Sequence, residues 1–148
     1  LGVKEQLQED IKSAMRAKES DRLTTLRLFS AAIKQKEVDD RILLDDAAVL
    51  SVLEKMIKQR KDSISQFQAG GRQDLVDKEQ AELAVLSAYL PAQLSETEVI
   101  AIIDTAIGST GAAGPQDMGK VMAVIKPQLA GKADMGAASA LLKARLAK

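Results

Sequence analysis

The sequence predicts an all-α protein: a helical body built around a long antiparallel helical hairpin, followed by a small three-helix tail. Three observations carry that prediction. Apolar residues recur at helical spacing through most of the chain, and no segment alternates with the period of two that a half-buried strand requires. Glycine pairs, prolines and Ser/Asp capping residues fall between the periodic stretches. The core material is Leu, Ile, Val, Ala and Met, with two Phe, one Tyr and no Trp in 148 residues.

Val3, Leu7, Ile11 and Met15 mark one face of a first helix, with Lys4, Glu5, Glu9 and Lys12 toward solvent. Ser20 or Asp21 can cap a second helix, whose stripe is Leu23, Leu26, Phe29 and Ile33. The acidic stretch from Glu37 to Asp46 is expected to be a loop, with Asp45 or Asp46 capping the next helix. That third helix, the longest, carries Val49, Val52, Leu53, Met56, Ile57, Ile64 and Phe67 and stops at Gly70-Gly71, because glycine enters the left-handed conformation without a Cβ clash. A fourth helix turns Leu75, Val76, Leu83, Leu86 and Leu90 inward until Pro91 breaks it. So short a turn makes helices three and four antiparallel neighbours.

Ser95-Glu96-Thr97-Glu98 reads as a capping box opening a fifth helix with Val99, Ile102, Ile103, Ala106 and Ile107. A loop of small residues follows from Gly108 to Gly114. Asp117-Met118-Gly119 then opens a sixth helix (Val121, Met122, Ile125, with Pro127 near its end), and Asp134-Met135-Gly136 a seventh (Ala138, Leu141, Leu142, Leu146). The expected division is a body over residues 1–91 and a tail over residues 95–148.

Composition excludes much chemistry. Cysteine and histidine are both absent, removing thiolate nucleophiles, disulfides, Cys-ligated metal and the usual general base near neutral pH. No phosphate-binding Gly-rich loop, dinucleotide fingerprint or serine elbow is present. Asp39-Asp40 and Asp45-Asp46 lack the alternating spacing of a calcium loop and read as a solvated acidic loop. No catalytic residue, cofactor or metal site is therefore expected. No apolar run is long enough for a membrane span, the first ten residues are amphipathic rather than signal-like, and a cytoplasmic location with no membrane partner is the expectation. Basic and acidic residues balance at 21 each, whereas dedicated nucleic-acid binders carry a basic excess. Any nucleic-acid contact should be local or shared with a partner.

Two constellations stand out. Arg60 falls on the apolar face of helix three and Glu79 on the inner face of helix four; the hairpin register brings Arg60 opposite residues 79 to 82, so a structural ion pair of Arg60 with Glu79 or Glu82 is expected. In the tail, Gly119-Lys120 and Gly131-Lys132 are Gly-Lys steps beside helix starts, where backbone amides and a flexible cation can share a phosphate. Close helix packing and ordinary turn chemistry are the competing explanation of both steps, and the capping aspartates oppose an anion there. Lys126 and Lys143 are further candidates on charge alone.

The blocks Gln59-Arg60-Lys61-Asp62-Ser63-Ile64-Ser65-Gln66-Phe67, Gly71-Arg72-Gln73-Asp74-Leu75-Val76, Glu79-Gln80-Ala81-Glu82-Leu83, Tyr89-Leu90-Pro91 and Gln93-Leu94-Ser95 closely resemble the YqeY family (GatB/YqeY). Met118-Gly119-Lys120-Val121-Met122 and Gly131-Lys132-Ala133-Asp134 continue the resemblance into the tail. A related tail ends the B subunit of the glutamine-dependent aminoacyl-tRNA amidotransferase, and the same domain is appended to some glutaminyl-tRNA synthetases. The resemblance implies a helical body plus a helical tail, a tail that helps hold tRNA, and catalytic centres that lie in other domains. It also implies an aminoacyl-tRNA synthetase or amidotransferase as partner. Where related tails favour Asn-Pro, this chain has Asp134-Met135.

Three functions follow as alternatives. The first is a non-catalytic tRNA-binding accessory module acting with aminoacylation or transamidation enzymes, through Gly119, Lys120, Gly131, Lys132, Lys126 and Lys143. The second is a protein-interaction adaptor with no RNA contact. The third is carbon–nitrogen ligase activity with glutamine as amido-N-donor, a label the family carries but for which this chain shows no nucleophile and no nucleotide loop.

Overall fold

A computed structural model describes residues 2–147. Its regular structure is helical throughout the described residues: α1 (Val3–Arg16), α2 (Ser20–Asp40), α3 (Asp46–Ala69), α4 (Gln73–Ser87), α5 (Glu96–Thr110), a single 3-10 turn (Pro115–Asp117), α6 (Met118–Leu129) and α7 (Met135–Leu146). The chain divides into two compact units, meeting between Leu90 and Pro91. Each has its own apolar core.

In the first unit, α3 and α4 form the antiparallel hairpin and α1 and α2 pack beside it. Leu7, Ala14, Leu26, Phe29, Ile33, Val49, Leu53, Met56, Ile57 and Leu86 are buried together. Met15 departs from the expected stripe and is 52% exposed. A four-residue step on a helix of 3.6 residues per turn drifts about 40° each time, so after three steps Met15 has rotated off the face, and Ala14 takes the inward place. Gly71, at φ +70°, makes the hairpin turn.

The stretch from Glu37 onward also differs from expectation. Helix α2 runs on to Asp40, and only Arg41 to Asp45 connect it to α3. Pairs one turn apart carry the extension: the Gln35 side-chain amide donates to Asp39 Oδ1 at 2.8 Å, and Lys36 Nζ lies 2.9 Å from Asp40 Oδ2. Glu37 accepts from Lys4 Nζ and from the Leu44 backbone N–H at 2.8 Å, so the acid ties the end of α2 to both α1 and the loop. Neither Ser20 nor Asp21 caps α2; the cap position is Glu19, without a side-chain bond. Asp45 caps α3, accepting from the Ala48 amide at 2.9 Å.

In the second unit, Ser95 and Glu98 complete a reciprocal capping box at the start of α5. Each leaves one first-turn donor satisfied that water would otherwise have to serve. Val99, Ile103, Ala106, Val121, Ile125, Leu129, Ala138, Leu142 and Leu146 form its core. Helix α5 continues to Thr110, further than the expected loop start at Gly108, and ends on Gly111 at φ +69°. Pro127 sits in the last turn of α6 and lacks the amide that would bond the Ala123 carbonyl one turn back.

Candidate nucleic-acid interface in the tail

The tail's candidate residues occupy three different settings. Gly119 lies in the first turn of α6, exposed and with open space where a Cβ would be. Lys120 follows it, also exposed, with its Nζ 3.9 Å from Asp117 Oδ1. Asp117 does not cap α6. Its carboxylate instead accepts from the Ala113 amide at 2.9 Å, and this bond, with the Lys120 charge nearby, holds the acid below its ordinary range. A stably ionised carboxylate thus stands at the α6 N-terminus, where an incoming phosphate would meet repulsion.

Gly131 precedes the last helix, as expected, but does not open it. It is buried, has φ +72° and belongs to the turn that leaves α6. Its carbonyl accepts from Gln93 Nε2 at 2.7 Å, and the same amide group donates to the Pro91 carbonyl at 2.9 Å. The Leu94 amide donates to the Lys132 carbonyl at 2.8 Å. Residues 91–94 therefore strap the α6–α7 turn, and Gly131 serves that strap through the left-handed conformation glycine allows. The Lys132 amide is itself taken up by the Leu129 carbonyl at 2.8 Å. At α7 the Asp134 carboxylate accepts from the Gly136 amide at 3.2 Å, a second acid at a helix start. Gln93 is the organising residue that periodicity and charge had no means to single out: it is one more polar side chain until the turn it bridges is seen.

The lysine side chains are better placed than the glycine amides. Lys126 in the last turn of α6, Lys132 in the α6–α7 turn and Lys143 in the last turn of α7 are all exposed, and none has a carboxylate within ion-pair distance among the described residues. Arg145 differs: its Nε donates to Asp104 at 2.7 Å. Beside the strap lies a cavity of about 470 Å³ with Leu94, Val99 and Leu141 on its wall and the carboxylates of Glu96 and Asp134 lining it. That combination of apolar wall and negative charge does not suit a phosphate.

In the first unit, Arg60 Nε lies 3.8 Å from Glu82 Oε2, with the two side chains 15% and 14% exposed. The distance is an ion pair without a hydrogen bond, and Arg60 Nε has no hydrogen-bond partner at all. Glu79 shares this surface. Burial and the neighbouring Glu82 charge push its carboxyl above the ordinary range, and Arg60 only partly offsets them. At the other end of α4, Tyr89 packs edge-on to Phe29 at 5.4 Å between ring centroids and donates its hydroxyl to Asp10; burial and that acid push the phenol up. Both arrangements are accounted for by packing and pairing between helices. Among the described residues no group of three or more acidic, histidine or cysteine side chains could hold a metal.

Comparison with known proteins gives the setting. The Yqey-like protein family model matches residues 4–146. The chain is 44% identical over 87 residues to the Eremothecium gossypii protein called Altered inheritance of mitochondria protein 41, mitochondrial, a match covering 58% of this chain and 48% of that one. The Kluyveromyces lactis protein of the same name is 44% identical over 84 residues, 56% of this chain and 45% of its own. The Pyrenophora tritici-repentis counterpart is 36% identical over 128 residues, 81% of this chain and 69% of its own. The chain thus spans about half the length of the first two of these relatives.

These names correct the expectation of a cytoplasmic location, since every one of these relatives is named as mitochondrial. Lack of cysteine, of a signal-like start and of an apolar span is common to proteins of several compartments, so the features that suggested cytoplasm could not have separated them. With the family model running from Lys4 to Leu146 and a relative matched over most of both chains, this protein belongs to the Yqey-like family.

Proposed function

We propose that the protein is a non-catalytic accessory module for tRNA, whose tail touches the RNA backbone through Lys126, Lys132 and Lys143. One observation carries this reading: three exposed lysines without carboxylate partners among the described residues lie in the segment that resembles the tRNA-holding tail of the amidotransferase B subunit. The backbone amides near Gly119 and Gly131 drop to a minor role, because Asp117 fronts one and the other is buried in the strapped turn. Lys120 contributes less than the other three, being shared with Asp117. Recognition is of shape and phosphate, since aromatics for base stacking are nearly absent. With no net charge, the isolated protein binds weakly, and affinity becomes useful when a synthetase or amidotransferase holds the same tRNA and makes the second contact intramolecular.

The test is a fluorescence titration of labelled tRNA with the native chain and with Lys126→Ala/Lys132→Ala/Lys143→Ala. Three phosphate contacts predict a fall in affinity of about 40-fold between 50 and 200 mM salt for the native chain, and a nearly flat response for the variant. Lys120→Ala should change little. Equal binding by native and triple variant, or no binding at low salt even with a partner enzyme present, would replace this reading with one in which the protein touches no RNA.

A further inference from the structure

We infer that Gln93 is a positioning residue for the RNA contact at Lys132, an inference that rests on the tRNA reading above. The Gln93 side-chain amide fixes the backbone from which the lysine springs and touches no RNA itself.

Lys132 stands in the middle of the turn between α6 and α7, and the backbone groups around its Cα are engaged. Its N–H donates to the Leu129 carbonyl at 2.8 Å, and its carbonyl accepts from the Leu94 amide at 2.8 Å. The carbonyl before it, on Gly131, accepts from Gln93 Nε2 at 2.7 Å. Gln93 is held in turn by its second bond, to the Pro91 carbonyl at 2.9 Å. An amide nitrogen carries two hydrogens, so both are used and neither is left for a phosphate.

The other two lysines need no such device. Lys126 and Lys143 extend from the last turns of α6 and α7, where helical hydrogen bonds already set the backbone. Lys132 follows a glycine at φ +72°, the residue type with the widest choice of backbone conformation, so bonds from outside the turn have to select one. Gly131 is buried; without Gln93 its carbonyl would be left unsatisfied, which favours opening of the turn toward water. The direction of Lys132 matters because acids stand close by. Glu96 and Asp134 line the cavity beside the strap and Lys132 does not, and it has no carboxylate within ion-pair distance among the described residues. A lysine on a loosened turn would be free to pair with these acids instead of a phosphate. Held by the strap, it stays exposed and ordered before RNA arrives, and binding loses less entropy.

The experiment titrates labelled tRNA with the full chain carrying Gln93→Met, which keeps the side chain's length and removes its donors. The native fall in affinity of about 40-fold between about 50 and 200 mM salt should drop to about 12-fold in Lys132→Ala, and to about 20-fold or less in Gln93→Met. Gln93→Met should add no loss to Lys132→Ala and its full loss to Lys126→Ala or Lys143→Ala, whereas a residue that merely stabilised the tail would weaken all three backgrounds alike. The linkage also runs in reverse in the native chain. Bound tRNA should slow hydrogen exchange of the Leu94 amide more than that of the Ala113 amide, which bonds Asp117 in another turn, and Lys132→Ala should remove the difference. That readout decides the matter if Gln93→Met does not fold. Should the triple-lysine variant bind like the native chain, the tRNA reading falls and this inference with it. If the lysines matter but a folded Gln93→Met binds like the native chain or weakens every lysine background equally, or if tRNA leaves Leu94 exchange unchanged, Gln93 is a structural residue alone and the inference is overturned.

Discussion

Replacing Arg60 by alanine isolates an ionic contact that is well covered by the α3–α4 hairpin. Both side chains of the Arg60–Glu82 pair are about 85% covered, and their charged atoms lie 3.8 Å apart. At an effective dielectric near 20 that separation corresponds to about 4 kcal/mol of attraction. Desolvation of both groups cancels a large part of it. Arg60 Nε receives no hydrogen bond in return for its burial, so the pair falls short of the strongest buried cases. Truncation also leaves Glu79 and Glu82 repelling each other, with Lys78 the remaining cation that acts on Glu79. A destabilisation of about 2–3 kcal/mol at neutral pH follows, between the ranges for exposed and fully buried pairs. Urea unfolding followed by circular dichroism measures it, with Arg60→Met as the control that keeps the side chain's packing but not its charge. A double-mutant cycle should find coupling of Arg60 to Glu82 of about 1–2 kcal/mol and a smaller one to Glu79. Zero coupling to both, or a loss of less than about 0.5 kcal/mol for alanine, would show that the covered charge is solvated after all and refute the reasoning.

Four further outcomes are expected. Glu79→Gln should become more stable relative to the native chain as pH rises from about 4 to 7: a carboxyl held above its unfolded pKa binds more protons folded than unfolded, so native stability falls with rising pH in that window; unfolding midpoints that converge instead would contradict it. Glu37 carries the opposite sign, because Lys4 and the Leu44 amide hold it low; Glu37→Gln should remove stability that the native chain has at neutral pH and loses only as pH falls through the folded pKa, and paired urea titrations at the two ends of that range check this. Ser95→Ala should cost about 1 kcal/mol by opening the capping box at α5, read from the unfolding of the tail. A fragment of residues 1–94 should unfold cooperatively on its own, since its apolar core shares no residue with that of the tail, and a fragment with random-coil circular dichroism would dispose of that view.

The fold was largely legible because helices announce themselves through periodicity and punctuation. The Gly70-Gly71 turn, the Ser95 box and the Asp45 cap are local signals, and local hydrogen-bond chemistry settles them. The errors arose where helical drift, pairs one turn apart or distant residues decide. Glu37 to Asp40 looked like loop because acids cluster there, yet Glu37 is helical with Lys4, 33 positions away, as its partner. Met15 looked inward because a step of four approximates the helical repeat, and over three steps the approximation fails. Tyr89's bond to Asp10 spans 79 positions, and no spacing rule reaches that far.

The site was less legible for a related reason. A Gly-Lys step has the same appearance in a helix start and in a turn that follows a helix, and only the fold separates them. Gly119 opens α6, whereas Gly131 closes it and gives its carbonyl to Gln93. What distinguishes the lysines is also invisible in a linear reading: Lys120 has Asp117 one turn back, while Lys126, Lys132 and Lys143 have no such neighbour among the described residues. Charge balance over the whole chain hides this, because many of the acids are taken up in caps and helix pairs and these three lysines are not. A chain with no net charge can thus keep exposed lysines without acid partners in its tail, and the response of tRNA binding to salt and to removal of those lysines tests whether they meet RNA.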